Sequence, residues 1–224
     1  MIGAIVQART GSRRLPGKTL LPLGGMPMLA YILRRLRAAF PGLPVVVATT
    51  TLAGDDPLVS LCEHEGFASF RGSEEDVLDR YLQCSLRYGI TQIIRLTADN
   101  PFTDLDELAR LQEAHLLADF GYTHSFAHLP VGTGAEIFSA ACLARAHREG
   151  HAPHHREHVN EYVLEHPEIF KTQVLDVAPK KRHPELRLTV DTQEDYERAC
   201  RIVAAVKRPW VTSAEAVAWL LRSA

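Results

Sequence analysis

The chain has 224 residues, of which 46% are hydrophobic and 23% charged, and its formal net charge is −2. This is the composition of an ordinary globular protein, and an α/β domain of this length need not be divided, so a single domain over residues 1–224 is expected. The near-neutral charge excludes a large basic surface for nucleic acid. No apolar run approaches the ~20 residues of a membrane span, and no charged leader precedes the first strand-like run, so a cytoplasmic location without a membrane partner is expected.

Short apolar runs alternate with longer amphipathic segments, which predicts a mainly parallel sheet with helices on both faces. The predicted strands cover residues 3–7, 44–49, 67–70, 92–97, 122–126, 135–138, 170–175 and 186–190. The predicted helices cover residues 28–39, 57–65, 74–88, 105–119, 140–149, 156–165, 194–206 and 214–222. Helix starts are marked by Thr192, a predicted N-cap, and by predicted capping boxes at residues 73–76 and 212–215.

The alternation of strands and helices breaks between residues 122 and 138. Two strand-like runs follow one another there, with Pro130, Gly132 and Gly134 between them. This predicts an inserted β-hairpin or lobe that contacts an acceptor or a second subunit. No internal repeat or low-complexity linker points to a second independent domain.

The loop directly after the first strand is the most informative stretch. Residues 7–18 contain two glycines, three arginines and a lysine. Glycines let backbone N–H groups approach phosphate oxygens, and the cations add charge-assisted hydrogen bonds, so the loop predicts a nucleotide site. It is not a P-loop, because five residues separate Gly11 from Gly17 and Pro16 lacks an N–H group. The alternative interpretation is a basic surface turn that merely ends a strand.

Two aspartates follow predicted strands. Asp99 comes after the strand at 92–97 and before Asn100-Pro101, and Asp191 comes after the strand at 186–190 and before a helix start. Ligands of open α/β sheets bind at this carboxyl edge, and carboxylates are the oxygen ligands that a divalent cation needs for nucleotidyl transfer. Read alone, each aspartate is as well explained by a turn or a helix cap.

These motifs together resemble those of the CTP-using cytidylyltransferases that act on acylneuraminate and 3-deoxy-manno-octulosonate. The motif sequences are most similar to those of the branch of the family that is linked to spore-coat polysaccharide. The first loop matches the family pattern Q/P-A-R-x-G-S-x-R-L-P-G-K at Gln7, Ala8, Arg9, Gly11, Ser12, Arg14, Leu15, Pro16, Gly17 and Lys18. Residues 98–101 and 190–195 match its G/A-D-x-P and V-D-T-x-E-D segments, and residues 71–81 match the R-G-S-E-x-D-V-L-x-R-Y stretch of the spore-coat branch. The resemblance spans about residues 1 to 206.

The resemblance implies a Rossmann-like nucleotidyltransferase fold and a reaction. The implied reaction is the transfer of CMP from CTP to a hydroxyl of an acidic, nonulosonate-type sugar, with release of pyrophosphate, for surface polysaccharide biosynthesis. It implies Mg²⁺ held by Asp99 and Asp191, catalytic roles for these two with Arg9 and Lys18, and a homodimer. The residues it implies for CTP binding are Gln7, Ala8, Arg9, Gly11, Ser12, Arg14, Lys18, Ala48, Thr49, Arg71, Gly72, Ser73, Arg80 and Thr97.

Other interpretations stay open at this point. Arg71 and Arg80 are also what a solvated helix start contains. A glycosyltransferase could place a metal-binding aspartate after a strand as well, although it would not need a cationic loop for a leaving pyrophosphate. A non-catalytic nucleotide sensor is the third class, although an idle pocket has no need to concentrate charges that repel one another.

The resemblance is least complete in the region that is implied to contact the acceptor. Members of the spore-coat branch tend to read P-x-G-L-D-x-E-x-F in the inserted region, whereas residues 130–138 here have Gly134 at the position of the aspartate and keep Glu136. If that aspartate contacts an acceptor hydroxyl, this chain takes a different acidic sugar or orders the region differently. A phosphonate or another hydroxy acid is a further alternative.

Two sets of potential metal ligands remain. The cysteines, Cys62, Cys84, Cys142 and Cys200, form no C-x-x-C pair, so they predict neither a zinc site nor a redox motif. Four histidines cluster between residues 151 and 158, and His154 and His158 are spaced by one helical turn, which could hold a transition metal. Without a third ligand nearby, a solvated helix start is the better interpretation, and residues 156–159 also resemble an R-E-H-V segment of the branch that suggests an acceptor or subunit contact.

Overall fold

The computed structural model describes residues 1–118 and 120–223. Its strands are β1 Ile2–Gln7, β2 Pro22–Leu23, β3 Met26–Pro27, β4 Val45–Thr50, β5 Ala68–Gly72, β6 Gln92–Thr97, β7 Tyr122–His124, β8 Glu136–Ser139 and β9 Thr172–Val174. Its helices are α1 Met28–Ala39, α2 Asp56–Glu65, α3 Val77–Tyr88, α4 Leu105–Ala118, α5 Ala140–Glu149, α6 Pro153–Glu157, α7 Glu161–Glu165, α8 Gln193–Val206 and α9 Ser213–Ser223. The predicted last residue of the fourth helix, Asp119, lies outside the described residues.

One large sheet organises the chain. Within the described residues it has seven strands in the order β5-β4-β1-β6-β8-β7-β9. The first four of these run parallel, β8 runs antiparallel to both β6 and β7, and β9 pairs in parallel with β7. The predicted α/β class, with a mainly parallel sheet between helices, is confirmed. In the described ranges no helix is both long and apolar enough to cross a membrane.

The alternation of side chains along the central strands divides the core between the two faces of the sheet. In β1, Ala4 and Val6 join one apolar cluster, whereas Ile5 joins the other. The first cluster includes residues of α1, α2, α4, α8 and α9, and the second includes residues of α3, α5 and α7. Both clusters contain fully buried aliphatic side chains, each of which stabilises the fold by about 1.5–3 kcal/mol.

The helix starts follow the predicted caps in two of three places. The Thr192 hydroxyl accepts the N–H of Asp195, and the Thr212 hydroxyl accepts the N–H of Glu215, whose carboxylate accepts the N–H of Thr212 in return. The third helix begins at Val77 instead of residue 74, because the N-cap is Asp76, whose carboxylate accepts the N–H of Asp79 at 2.8 Å. Three residues of the predicted helix are therefore loop.

Two predictions in the second half of the chain are wrong. The single helix expected over 156–165 is two short helices, α6 and α7, because His158 takes an extended conformation after α6 ends at Glu157. The strand expected over 186–190 is an extended segment with one isolated bridge, between Val131 and Arg187. Its partner segment contains Pro130, which cannot donate a ladder hydrogen bond, and Gly132, which turns the chain away at φ 92°.

The predicted hairpin is present as a pair of strands in the main sheet. β7 and β8 pair antiparallel, with Tyr122 opposite Phe138 and His124 opposite Glu136. They are joined by a loop over residues 125–135 and lie between β6 and β9. The loop therefore opens at the same edge of the sheet at which β6 ends.

Candidate active site

The strand ends that carry predicted nucleotide contacts form one row. Gln7 ends β1 and pairs with Ala48 of β4 on one side and with Thr97 of β6 on the other. Farther along the row, Thr49 of β4 pairs with Arg71 of β5. Because these four strands run parallel, their carboxyl ends share one edge of the sheet, where ligands of such sheets bind.

The loop after β1 folds back on itself at this edge. The Thr10 carbonyl accepts the N–H groups of Ser12 and Gly17, both at 2.9 Å, and the Ser12 hydroxyl accepts the N–H of Leu15 at 3.3 Å. Gly17 has φ 69°, a conformation that favours glycine, and it leads into the short 3-10 turn that begins at Lys18. The glycine therefore sets where the lysine side chain enters the site.

A buried aspartate that the motifs did not reveal holds this loop in place. Asp55, 2% exposed, accepts hydrogen bonds from the N–H and hydroxyl of Thr10, both at 2.7 Å, and from the Thr50 hydroxyl at 2.5 Å. Burial alone would raise the pKa of Asp55, but the bonds from Thr50 and Thr10 lower it below its usual value. The ionised carboxylate thus joins the first loop to the loop after β4.

Lys18 brings the two predicted metal ligands together. Its side chain is 10% exposed, and its ammonium group donates to Asp99 Oδ2 at 2.8 Å, to the Val190 carbonyl at 2.8 Å and to Asp191 Oδ1 at 3.0 Å. The Val190 N–H in turn donates to the Asp99 carbonyl at 2.8 Å. The two carboxylates, 92 positions apart in sequence, therefore converge on one positive charge.

Asp191 is surrounded by cations. Besides Lys18, its carboxylate contacts Arg14 Nη2 at 2.9 Å and Arg187 Nη2 at 2.5 Å. Burial alone would raise the pKa of Asp191, but the hydrogen bond and charge of Lys18 and the charges of Arg14 and Arg187 lower it below its usual value. The group is therefore fully ionised at neutral pH.

Neighbouring residues fix the orientation of both carboxylates. The Thr97 hydroxyl donates to Asp99 Oδ1 at 2.6 Å and accepts from the Asn100 side-chain amide at 2.9 Å. The N–H group of Asp191 donates to Asp195 Oδ2 at 3.0 Å, so the cap of α8 also positions the aspartate before it. Preorganisation of this kind is what a charge-stabilising site requires.

The predicted contacts on β5 and α3 lie at the far end of the same edge. The Arg71 guanidinium donates to the Thr50 carbonyl at 2.9 Å and also contacts Asp56, so it holds the loop after β4. Arg80 is fully buried and donates to the Ser73 carbonyl at 2.5 Å. Within the described residues, its Nε and Nη2 atoms have no hydrogen-bond partner. An orphaned buried guanidinium favours an anionic or carbonyl ligand beside it.

Two other residues, Arg9 and Gly72, affect the buried Arg80 guanidinium. Burial lowers the pKa of Arg80, and the positive charge of Arg9 lowers it further. A Cβ atom at Gly72 would lie 2.9 Å from Arg80 Cγ, so the glycine permits this packing. Arg71 and Arg80 thus lie at one end of the edge, and Arg14, Lys18 and Arg187 lie at the other.

A second cluster of polar side chains lies on the face of the sheet that α3 covers. Arg95 of β6 forms an ion pair with Glu136 of β8, which also accepts the Tyr122 hydroxyl at 2.5 Å, and the Asn160 amide donates to that hydroxyl at 3.3 Å. Burial alone would lower the pKa of Arg95, but the facing carboxylate raises it above its usual value. We refer to Arg95, Tyr122, Glu136 and Asn160 as the buried cluster.

Gly134, where the family resemblance implies an aspartate, lies against an aromatic ring. A Cβ atom at Gly134 would lie 2.6 Å from Phe126 Cδ1, closer than such atoms approach in real structures. The Phe126 ring stacks on His124, with centroids 5.4 Å apart. The side chain expected at position 134 therefore has no room, and Phe126 occupies its space.

The ligands of the predicted magnesium site suit the ion. Asp99 and Asp191 supply hard oxygen donors, and a cation, the Lys18 ammonium, already lies between them in this structure. We refer to Lys18, Asp99 and Asp191 as the carboxylate cluster. An ion bound to both aspartates would take the place of the ammonium, and Lys18 would then be available to a phosphate.

Two residues of this site escaped the sequence analysis. Arg187 lies four positions before Asp191 and forms an ion pair with it. The predicted strand over this segment gave no reason to expect that pair. Asp55 opens the acidic pair Asp55-Asp56 in the loop after the second parallel strand, which is the only signal that it left. Asp55 bonds to Thr10, 45 positions away, and Arg187 lies in a segment that was predicted to be a strand.

Comparison with known proteins places the chain among nucleotidyltransferases. A family model described as cytidylyltransferase matches residues 3–217. Spore coat polysaccharide biosynthesis protein SpsF of Bacillus subtilis is 38% identical over 225 residues, which covers 98% of this chain and 93% of that protein.

Solved structures agree with this. One described as a cytidylyltransferase from Leptospira borgpetersenii has a TM-score of 0.93 at 31% identity and covers 99% of this chain and 94% of that one. A CMP:2-keto-3-deoxy-manno-octonic acid synthetase in complex with CTP has a TM-score of 0.70 at 16% identity, covering 92% of this chain and 99% of that one. At that identity the likeness shows the fold alone, and the predicted nucleotidyltransferase fold is confirmed.

Proposed function

The chain belongs to the cytidylyltransferase family, and we propose that it transfers CMP from CTP to a hydroxyl of an acidic, nonulosonate-type sugar in surface polysaccharide biosynthesis. The observation that carries this proposal is the convergence of Lys18, Asp99 and Asp191 beside the cationic first loop. Family membership supports CTP as the nucleotide, and the name of the SpsF relative supports the polysaccharide context.

The first loop has the groups to bind a triphosphate. Arg9, Arg14 and Lys18 would hold the β- and γ-phosphates, and backbone N–H groups near Gly11 and Ser12 would contribute further donors. Arg14 is 63% exposed, so it can leave Asp191 for a phosphate at little cost. Arg187 would then remain on Asp191 and keep its carboxylate oriented.

The cytosine would lie toward the β4 and β5 end of the edge. Ala48 and Thr49 end β4 there, and Gly72 and Ser73 follow β5. The orphaned nitrogens of Arg80 lie under this end, where a carbonyl oxygen or phosphate would satisfy them. The nucleotide would thus run along the row of strand ends, with its triphosphate at the carboxylate cluster.

Asp99 and Asp191 would hold Mg²⁺. When bound, the ion would neutralise charge at the α-phosphate. The acceptor hydroxyl attacks the α-phosphorus in line; its oxygen forms the new P–O bond, the bond to the bridging oxygen of the β-phosphate breaks, and pyrophosphate leaves as the hydroxyl proton passes to solvent. The protein contributes by fixing charges and positions, because Thr97, Asn100 and Asp195 hold the carboxylates before substrate arrives.

The acceptor would approach from the side of the loop over residues 125–135. This loop opens at the same edge, and Val131 pairs with Arg187, which contacts Asp191. An acidic sugar suits the site because Arg187 is 41% exposed there and carries a charge for a carboxylate. Phe126, in place of a polar side chain, would present an aromatic surface to the sugar.

The test is magnesium-dependent pyrophosphate release from CTP, UTP, ATP and GTP with a panel of acidic sugars. Release should be selective for CTP and should require an acceptor. Asp99→Asn should lower it by about 10²–10³-fold, because a preorganised charge at the reacting phosphate is lost. Asp106→Asn, an exposed aspartate at the start of α4, is the matched control and should leave the rate unchanged.

Three outcomes separate the alternatives. Transfer from a nucleotide-sugar without pyrophosphate release would identify a glycosyltransferase. A rise in melting temperature with CTP but no turnover on any acceptor would support a binding protein. Absence of CTP binding would reject the proposed function. The homodimer is a proposal that rests on the family resemblance, and sedimentation equilibrium tests it. The cytoplasmic location stays a prediction from the sequence.

A further inference from the structure

A second cluster of potential ligands lies outside the active site, where α6 meets α7. His154 Nε2 is 2.9 Å from Glu165 Oε1, and His155 Nε2 is 2.7 Å from Glu165 Oε2. The three donor atoms lie within 4.8 Å of one another. We propose that His154, His155 and Glu165 bind one Zn²⁺ ion, with water as the fourth ligand.

The sequence spacing indicated a different pair. His154 and His158 would share a helix face if the helix continued, but α6 ends at Glu157 and His158 is extended. The third ligand is Glu165, ten positions after His155, and it reaches the histidines only because the chain turns back between α6 and α7. The break in the predicted helix thus creates the site.

The donor set suits zinc better than magnesium. Two imidazole nitrogens and one carboxylate are a known ligand combination for tetrahedral zinc, whereas magnesium prefers oxygen alone. Tetrahedral donors are about 3.3 Å apart at ordinary zinc–nitrogen distances, so small side-chain movements suffice to bring the three atoms together. The side chains of His154 and Glu165 are half-exposed, which leaves room for the water ligand.

No protein cation competes for this carboxylate. In the described part of the chain, the ion-pair partners of Glu165 are His154 and His155, and no lysine or arginine contacts it. The carboxylate is thus free of lysine and arginine partners, in contrast to Asp191, whose oxygens are taken by three protein cations.

One hydrogen bond opposes metal binding. The Ala152 N–H donates to His155 Nδ1 at 3.2 Å, so His155 carries its proton on Nε2 and donates it to Glu165. Zinc needs the lone pair of Nε2, so the proton must move to Nδ1 and the bond from Ala152 is lost. That bond is long, and a zinc–nitrogen bond outweighs it.

The ion would tie α6 to α7 across a segment that contacts the buried cluster. Asn160, between the two helices, donates to the Tyr122 hydroxyl. Tyr162 packs against both His155 and His166, with ring centroids 5.1 and 4.3 Å away. Zinc should therefore raise the melting temperature of the whole chain, and Mg²⁺ added at the same concentration should not act through these residues.

Calorimetric titration of the metal-stripped full-length protein with Zn²⁺ tests the proposal, and the visible absorption of Co²⁺ reports nitrogen ligands. One ion should bind per chain at these residues. His154→Ala and Glu165→Gln should each weaken binding by at least about tenfold, and both positions are half-exposed, so folding should survive.

Two control variants separate this site from its alternatives. His158→Ala should leave zinc binding intact, and a loss there would assign the ion to the i, i+4 pair and overturn the proposal. Asp191→Asn removes a ligand of the candidate active site and should leave this zinc stoichiometry unchanged. Unaltered zinc affinity in both His154→Ala and Glu165→Gln, or no zinc binding by the unaltered chain, would also overturn it. None of these measurements depends on cytidylyltransferase activity.

Discussion

The carboxylate cluster and the buried cluster lie on the same sheet and are built in opposite ways. In the first, Asp191 is shared by Arg14, Lys18 and Arg187, and the two arginine side chains are 63% and 41% exposed. In the second, one arginine meets one glutamate that is 1% exposed, and hydroxyl and amide groups complete the hydrogen bonds. Exposed cations in a cluster of this kind are suited to receive an anion, whereas a buried ion pair supported by further hydrogen bonds is suited to fix the positions of strands.

The largest effect on stability should come from breaking the buried pair. Arg95→Met leaves Glu136 buried without its counter-charge, so the free energy of unfolding should fall by about 3–5 kcal/mol. Urea denaturation measures this, with the exposed Arg87→Met as a control that should change little. Full stability with lost acceptor turnover would contradict the division between the clusters, because the buried cluster would then be part of the acceptor site.

The next largest effect should come from the close contact between Gly132 and Thr189, which holds the segment before Asp191. Gly132 has φ 92°, and a Cβ atom there would lie 2.5 Å from the Thr189 backbone nitrogen. Gly132→Ala should therefore destabilise the chain by about 2–4 kcal/mol and, by moving the segment before Asp191, lower kcat for pyrophosphate release. Gly42→Ala is the control, since nothing lies within 4 Å of a Cβ atom there. Equal kcat in both variants would show that Asp191 is positioned independently of this contact.

The contact between the Gly132 loop and the segment 186–190 also explains why the sequence predicts the elements of the first half of the chain better than those of the second. The strand at 92–97 and the helix at 28–39 have the predicted bounds, because each has its own apolar period. Asp99 lies, as predicted, just beyond the carboxyl end of a parallel strand, whereas Asp191 reaches the same place from a segment that is not a strand of the sheet. The segment 186–190 reads as a strand from its apolar residues, yet Pro130 and Gly132 on the facing segment permit only one bridge. Its conformation depends on residues nearly 60 positions away, which no local pattern reveals.

A third prediction concerns position 134, in the loop from which the acceptor is proposed to approach. Gly134→Asp introduces the side chain that the family resemblance implies, but it must displace the Phe126 ring, so stability should fall by about 1–3 kcal/mol. Phe126→Ala makes room, so the double variant should be more stable than the sum of the single changes implies, by about 1 kcal/mol. Thermal denaturation of all four proteins gives this coupling. Additive effects would show that Phe126 does not occupy the aspartate's space.

The smallest effect on stability should come from Lys18→Met, although it bears most directly on metal binding. Without the ammonium, Asp99 and Asp191 face each other as like charges, so stability at neutral pH should fall by about 1 kcal/mol. The folded-state pKa of Asp191 lies below its usual 3.8, so the stabilisation from its ion pairs is present above that value and is lost as the pH falls through the folded pKa. The difference between the variant and the unaltered chain should therefore shrink below about pH 4.

The Mg²⁺ affinity of the same Lys18→Met variant is the decisive measurement. Because Lys18 lies where a cation shared by the two aspartates would lie, Lys18→Met should bind Mg²⁺ more tightly than the unaltered chain in the absence of nucleotide, while pyrophosphate release is lost. Lys180→Met, an exposed lysine away from both carboxylates, is the matched control and should change neither property. Weaker Mg²⁺ binding in Lys18→Met would mean that the lysine orients the carboxylates instead of competing with the ion for them, and the exchange of ammonium for metal would have to be abandoned.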